Sequence, residues 1–283
     1  MAVLDEILNI DLGGTVARIV DFIRSYIGSS GASGVVVGLS GGVDSSVTVT
    51  LLSKAIEAKR ILGLVMPTSF TPKRDVEDAI ELAETLGIRY KVIPIDDIVE
   101  GFKKAASVEE NAKTRIAIAN LRARVRMSLL YLHANLENLL VAGTSDKSEI
   151  LLGYYTKYGD GASDFLVISH LYKTQVRLLG RYLGLPERIY GKPSSPQLYP
   201  GHRAVDELPA DYDILDQILY LVFDKGLGVR MTAELLRIDP GIVAAVVRRF
   251  IDTQHKRSLP PAPEPLSIKI DVEVLKKEIS EKF

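Results

Sequence analysis

The segment Gly38-Leu39-Ser40-Gly41-Gly42-Val43-Asp44-Ser45-Ser46 joins a run of valines to an apolar stretch with helical spacing. Two adjacent glycines let the backbone turn back tightly and approach a ligand with no Cβ in the way. The amides that open the following helix have no partner inside it, so they point at whatever lies in front of the turn. Ser40, Ser45 and Ser46 add hydroxyl groups. Residue types in this order suit the cradling of an anion of phosphate size. The alternative is a plain strand-to-helix turn with Asp44 or Ser45 as N-cap, which a Gly-Gly pair also allows. The chain has no G-x-x-x-x-G-K-[ST] and no G-x-G-x-x-G after a strand. Neither γ-phosphate transfer by a Walker loop nor a dinucleotide fingerprint is therefore supported.

Such residues need a scaffold, and the apolar patterning describes one. Short apolar runs at 35–39, 61–66, 90–95, 139–142 and 165–168 alternate with helical stretches at 12–28, 43–58, 73–86, 111–135 and 172–183. The first, second and fourth runs are almost continuous, as in strands buried on both faces of a parallel sheet. The alternation predicts an α/β fold, a doubly wound parallel five-stranded sheet with helices on both faces. A last apolar helix is expected at 240–253. Residues 191–209 are rich in Pro, Gly and Ser and too long for a routine connection, which marks them as a lid. The PPAPEP run at 260–265 reads as a stiff linker. One domain is thus expected over 1–259, with a Pro-rich linker and charged tail over 260–283. Helix 111–135 is apolar nearly all round except near its arginines. A second copy of the chain would bury it, so a homodimer through this helix is expected, against the alternative of a central helix within one monomer.

The 283 residues are 47% hydrophobic and 25% charged, which excludes a disordered or low-complexity chain. Lys and Arg number 35 against 36 Asp and Glu, a net charge of -1, and this balance argues against nucleic-acid binding. No apolar run reaches the roughly 18 residues of a membrane span, and MAVLDEILNI lacks the basic flank of a signal peptide. A cytoplasmic protein with no membrane contact is expected. The chain contains no cysteine, which excludes disulfides, cysteine-ligated zinc and thiolate chemistry. No histidine pair has zinc spacing, and His133 and His170 read as structural.

Ser40-Gly41-Gly42-Val43-Asp44-Ser45 resembles the SGGxDS pyrophosphate loop of the N-type ATP pyrophosphatases, enzymes of the Rossmann-like adenine nucleotide α-hydrolase type. The resemblance implies a grip on the β,γ-pyrophosphate of ATP and attack at the α-phosphorus. An aspartate inside a phosphate loop repels the ligand unless a metal bridges them, so Asp44 reads as a magnesium ligand. Further segments narrow the family: Asn120-Leu121-Arg122-Ala123-Arg124-Val125-Arg126-Met127, Gly143-Thr144-Ser145-Asp146-Lys147-Ser148-Glu149, Thr156 to Asp164 (TKYGDGASD), Leu171 to Arg177 and His255-Lys256-Arg257. Together they are similar to ammonia-dependent NAD synthetase over about residues 10–258. That family joins ammonia to deamido-NAD, consuming ATP and releasing AMP and pyrophosphate through an NAD-adenylate.

Carried over by position, the resemblance implies that Gly38, Leu39, Ser40, Gly41, Gly42, Val43, Asp44 and Ser45 hold ATP together with Thr144, Lys173 and Ser195. It implies that Asp44 and Glu149 bind Mg2+. Arg124, Lys157, Asp164, His255 and Lys256 would bind deamido-NAD, and Asp160 would lie beside the reacting carboxylate and ammonia. Two segments depart from the bacterial pattern: Ser145-Asp146-Lys147-Ser148 replaces D-H-A-A with the Thr-to-Glu spacing kept, and Ser195-Pro196-Gln197-Leu198 replaces T-A-D-L.

The chemistry accounts for these residue types. A carboxylate does not react with an amine at neutral pH, but its mixed anhydride with AMP does. Charge on the α-phosphoryl oxygens calls for fixed cations, here Lys173 and magnesium, while Asp160 takes a proton from ammonium. A unit-charge pair at 4 Å is worth ~1 kcal/mol in water and ~4 kcal/mol at an effective dielectric of 20, which gives a closing lid its value. Plainer readings stand beside these. Arg122, Arg124 and Arg126 could form a solvated helix face; Asp164 could be an N-cap or turn residue and Lys157 a surface lysine. Tyr154, Tyr155 and Tyr158 read as packing residues, and Asp146 as a third carboxylate near the metal or a structural one. The alternative acceptors are those of a GMP synthetase subunit or a tRNA-modifying enzyme, and a nucleotide-sensing module is the non-enzymatic reading. Without a cysteine the chain cannot house a common glutaminase, so ammonia enters directly or from a separate subunit.

Overall fold

The computed structural model describes residues 3–263, so the tail expected beyond residue 263 lies outside the described residues. Five strands form one sheet: β1 (Gly34–Gly38), β2 (Ile61–Val65), β3 (Arg89–Val92), β4 (Leu139–Gly143) and β5 (Phe165–Leu166). Their order is β3-β2-β1-β4-β5, and every neighbouring pair is parallel. Helices α1 (Val3–Leu8) and α2 (Leu12–Ser30) precede β1, and α3 (Val43–Ala55) follows it. Helix α4 (Lys73–Thr85) joins β2 to β3; α5 (Asp96–Ala106) and α6 (Arg115–Glu137) join β3 to β4. Helix α7 (Lys147–Leu152) lies between β4 and β5. Then come α8 (Lys173–Tyr182), α9 (Glu187–Tyr190), α10 (Tyr212–Leu219), α11 (Val229–Leu236) and α12 (Pro240–Asp252). The expected doubly wound α/β sheet is therefore present.

The valines of β1 show why the sheet is covered on both sides. Val35 and Val37 join a core formed with α2, α3, α4, α8 and α9, whereas Val36 joins a second core on the opposite face with α5 and α6. A two-residue side-chain period on a central strand demands apolar cover above and below. A third apolar cluster links α1, α7, α10, α11 and α12 into a helical layer beside the sheet.

Differences from the sequence reading have local causes. The run at 90–95 stops as a strand at Val92: Ile93 N still donates to Val65 O at 2.8 Å, but Pro94 has no N–H to extend the ladder. The run at 165–168 keeps only two residues in β5, because the chain turns at Ile168, whose carbonyl accepts Leu171 N. The helix expected over 111–135 begins at Arg115. Asn111 Oδ1 accepts Lys113 N and Asn111 N donates to Thr114 Oγ1, both at 2.9 Å, so residues 111–114 form a side-chain-capped turn. It ends at Glu137, with Asn138 left-handed at φ 52°.

The chain runs outward through β1, β2 and β3, then returns to place β4 on the other side of β1. The crevice beyond the carboxyl ends of β1 and β4 is the topological switch point, where open α/β sheets bind ligands.

Candidate active site

The loop after β1 faces that crevice. Leu39 N continues the ladder by donating to Leu64 O at 2.9 Å, after which the chain folds back. Gly41 has φ +71°, and a Cβ there would stand 2.1 Å from the backbone oxygen of Asp75; both conditions require glycine. Gly42 is the N-cap of α3 and supplies no side-chain cap. Ser45 Oγ lies 3.0 Å from Ser40 Oγ and accepts Ser40 N at 3.2 Å, which pins the loop. Asp44 and Ser45 are thus not caps, and the amides at the start of α3 remain available to an anion.

Asp44 turns to a cluster instead. Lys173 Nζ, from the first turn of α8, lies 2.7 Å from Asp44 Oδ1, 2.9 Å from Glu149 Oε1 and 3.0 Å from Asp146 Oδ2. Lys173 and Asp146 are fully buried. Asp146 caps α7 by accepting Glu149 N at 2.8 Å and stands as a third carboxylate beside Asp44 and Glu149, facing the same Lys173. Burial, reinforced by carboxylate–carboxylate repulsion, lifts Asp146 and Glu149 above the usual carboxylate range. Burial works against the Lys173 charge, but Asp146, Asp44 and Glu149 more than offset it and hold its pKa well above the usual lysine value. With one ammonium among three carboxylates, the cluster meets its excess charge either with bound protons, as the raised Asp146 and Glu149 pKa values indicate, or with a cation that displaces them.

These groups open into a cavity of about 600 Å³. Gly38 to Ser40, Gly42 to Ser45, Thr144, Glu149, Asp160, Lys173 and Ser195 line it; Gly41 lies behind the wall. Asp160 lines the cavity and is exposed to it, yet partial desolvation by the surrounding wall raises its pKa, partly countered by Thr156 N donating to Oδ1 at 2.8 Å. Ser195 spends its hydroxyl on His202 O, which ties the 191–209 segment to itself.

Arg124, Lys157, Asp164, His255 and Lys256 do not line the cavity. Arg124 donates to Lys157 O at 3.3 Å, and Lys157 Nζ donates to His255 O at 2.7 Å. Lys256 Nζ donates to Gly153 O and Tyr155 O, both at 2.6 Å. Asp164 Oδ2 accepts Val141 N at 2.7 Å and Oδ1 accepts Tyr131 OH at 3.2 Å, so its carboxylate secures the entry to β5 beside β4. Arg124, Lys157, His255 and Lys256 form one connected patch on the outer side of segment 153–158, and Asp164 sits apart in the sheet edge.

Three supporting groups escaped the sequence reading. Asp216, fully buried in α10, accepts Ser148 Oγ at 2.5 Å and Thr174 N at 2.7 Å; Ser148 Oγ in turn accepts Lys173 N at 2.9 Å. Lys192 Nζ donates to Gly41 O at 2.9 Å and reaches Asp75 Oδ1 at 2.5 Å, joining the expected lid to the phosphate loop. Arg126 lines the cavity from α6. The first two depend on partners more than 40 residues away. The third was visible as one of three spaced arginines, but spacing could not say which one faces inward.

The family model described as NAD synthase matches residues 15–260. The NH(3)-dependent NAD(+) synthetase of Hyperthermus butylicus is 54% identical over 263 residues, 93% of this chain and 94% of that protein. The NMN synthetase from Francisella tularensis superposes with a TM-score of 0.79 at 30% identity, covering 90% of this chain and 99% of that one. The NH3-dependent NAD synthetase from Campylobacter jejuni, solved with a nitrate ion, gives a TM-score of 0.75 at 35% identity, covering 90% and 100%.

Proposed function

The chain belongs to the NAD synthase family, and we propose that it is the ligase that amidates deamido-NAD with ammonia, converting ATP to AMP and pyrophosphate. The observation that carries this reading is the meeting, in one cavity, of the uncapped start of α3, the Asp44–Lys173–Glu149 cluster and Asp160. The amides of the phosphate loop and the hydroxyls of Ser40 and Ser45 hold the departing pyrophosphate. Thr144 and Ser195 border the nucleotide, and the Lys173 ammonium stays at its phosphates. Asp160, with its pKa raised by partial desolvation at the cavity wall, accepts the proton that ammonium gives up before attack.

Magnesium belongs to the proposal. Among the described residues no three carboxylate or histidine side chains are arranged to hold a metal alone. The donor set nevertheless fits Mg2+, which commonly takes one or two carboxylates with substrate phosphates and water. Asp44 and Glu149 would hold the ion, which when bound neutralises phosphate charge beside the loop.

Arg124, Lys157, His255 and Lys256 form the candidate deamido-NAD region, to which the motif adds Asp164 at the edge of the sheet. The proposal keeps a homodimer through α6, supported by Ile116, Leu132 and Leu136, which are 54%, 52% and 68% exposed on that helix. A purified protein that sediments only as a monomer at micromolar concentration would remove that part. Among the described residues no helix is long and apolar enough to cross a membrane, and the cytoplasm, where ATP is supplied, is the compartment assigned. The proposed domain covers 1–259. With no cysteine in the chain, ammonia itself is the nitrogen donor in this reading.

Purified protein given ATP, magnesium, ammonium and deamido-NAD is expected to release one pyrophosphate per NAD, and none without deamido-NAD. Release of ADP and phosphate, or turnover of XMP in place of deamido-NAD, would overturn the assignment. The likeness to an NMN synthetase supports a second reading, in which the acceptor is the smaller mononucleotide carboxylate. Faster turnover of that acceptor at equal concentration would favour it.

A further inference from the structure

Arg126 differs from the arginines on either side of it in α6. Arg122, one turn earlier, is paired with Glu110 at 2.6 Å and donates to Leu198 O at 2.9 Å. Arg124 turns outward to Lys157 O. Arg126 Nε donates to Met66 O at 3.0 Å, and among the described residues its two Nη groups have no hydrogen-bond acceptor and no ion-pair partner. Asp160 and Asp96 favour its charge only from a distance, and Arg122 opposes it. Protein encloses the guanidinium, drawing its pKa down to about 10, yet it stays charged at neutral pH.

An enclosed charge to which the protein supplies no counter-ion is costly, and such cost is characteristic of binding and reaction sites. The single bond from Nε to Met66 O holds the guanidinium at the end of β2 and leaves the Nη groups without a protein acceptor, on a residue that lines the cavity with Asp160, Lys173 and the phosphate loop. The Nη edge is a planar fork matched to a carboxylate or phosphoryl group.

We propose that Arg126 is a catalytic residue, whose Nη edge holds the oxyanion at which the carboxylate of deamido-NAD joins the α-phosphoryl group of ATP. The inference rests on the adenylation reading above. In that step a carboxylate oxygen bonds to the α-phosphorus, the bond from that phosphorus to the bridging oxygen breaks, and the electron pair leaves with pyrophosphate; no proton moves. Arg126 stabilises negative charge shared by the two joining groups. It keeps the same oxygens in place while ammonia attacks the acyl carbon and AMP departs.

The test is Arg126→Met, which keeps the length of the side chain and removes the charge. Pyrophosphate release is expected to fall about 100-fold or more, with ATP binding within threefold of wild type. The melting temperature should be unchanged or higher, because an uncompensated buried charge is gone. Arg126→Lys, which keeps the charge without the fork, should fall between the two. A raised KM for deamido-NAD would identify the carboxylate as the anion held before reaction. Slowed ATP–pyrophosphate exchange at unchanged KM would identify the α-phosphoryl group. Turnover within threefold of wild type, or lost activity together with a lowered melting temperature, would overturn the proposal. Wild-type protein that releases no pyrophosphate with deamido-NAD would sink the adenylation reading instead, so the two failures are separable.

Discussion

The phosphate end of the cavity and the outer patch around Lys157 are both rich in charged groups, but they spend that charge differently. At the phosphate end Asp44, Asp146 and Glu149 surround a single Lys173, and burial lifts the Asp146 and Glu149 pKa values, so a cation entering there competes with bound protons. In the outer patch Arg124, Lys157 and Lys256 donate hydrogen bonds to backbone carbonyls of the same chain. The first region is under electrostatic tension before any substrate arrives; the second is satisfied and must exchange internal hydrogen bonds for a ligand. Pre-organised charge is suited to the atoms where bonds change, whereas exchangeable contacts are suited to holding the remainder of a large substrate.

The contrast predicts unequal responses to mutation. Lys173→Met should have the largest effect, since it leaves three carboxylates around an empty centre. Removing one partner of a buried charged network costs about 3–5 kcal/mol, and NAD synthesis should vanish. Added magnesium should raise the melting temperature of this variant more than that of wild type; equal shifts would mean that the cluster does not attract the cation.

Gly41→Ala should come next. The positive φ and the approach of Asp75 O to 2.1 Å leave no room for a Cβ. A strained left-handed position costs about 1–3 kcal/mol. The loss should appear in chemical denaturation and as a higher KM for ATP, with the KM for deamido-NAD little changed.

Lys256→Met should have the smallest effect. Loss of a charge-assisted hydrogen bond predicts about a tenfold rise in the KM for deamido-NAD, with the KM for ATP nearly constant. Equal movement of both constants would erase the distinction between the two regions.

The sheet and the phosphate loop were legible in the sequence because their signals are short-range. A continuous valine run, a glycine pair and the onset of helical spacing lie within a dozen residues and describe β1, the turn and α3 directly. Helices α10 and α11 were not legible. Each is eight residues long and depends on packing rather than propensity, and α10 buries Asp216 where its pattern would call for an apolar residue. The apolar breadth of α6 was visible too, and Ile116, Leu132 and Leu136 are exposed on it in the single chain, but which of its apolar side chains pack inside was not.

Motif resemblance named Asp44, Glu149 and Lys173 together, and folding brings them to one point. Asp146 shows the limit of that approach: its neighbours in sequence reveal a helix cap, while its contact with Lys173 depends on how α7 and α8 pack against each other. The three arginines of α6 show it again. Their spacing puts them on different sides of a helix, but no local rule says which side faces Glu110, which faces segment 153–158 and which faces the cavity. Local chain chemistry was therefore enough for the backbone frame and the phosphate turn, because hydrogen bonding and side-chain periodicity act over a few residues. The division of charge between reacting centre and support came from long-range packing, because a charged group is defined electrostatically by whatever the fold brings within a few ångströms of it.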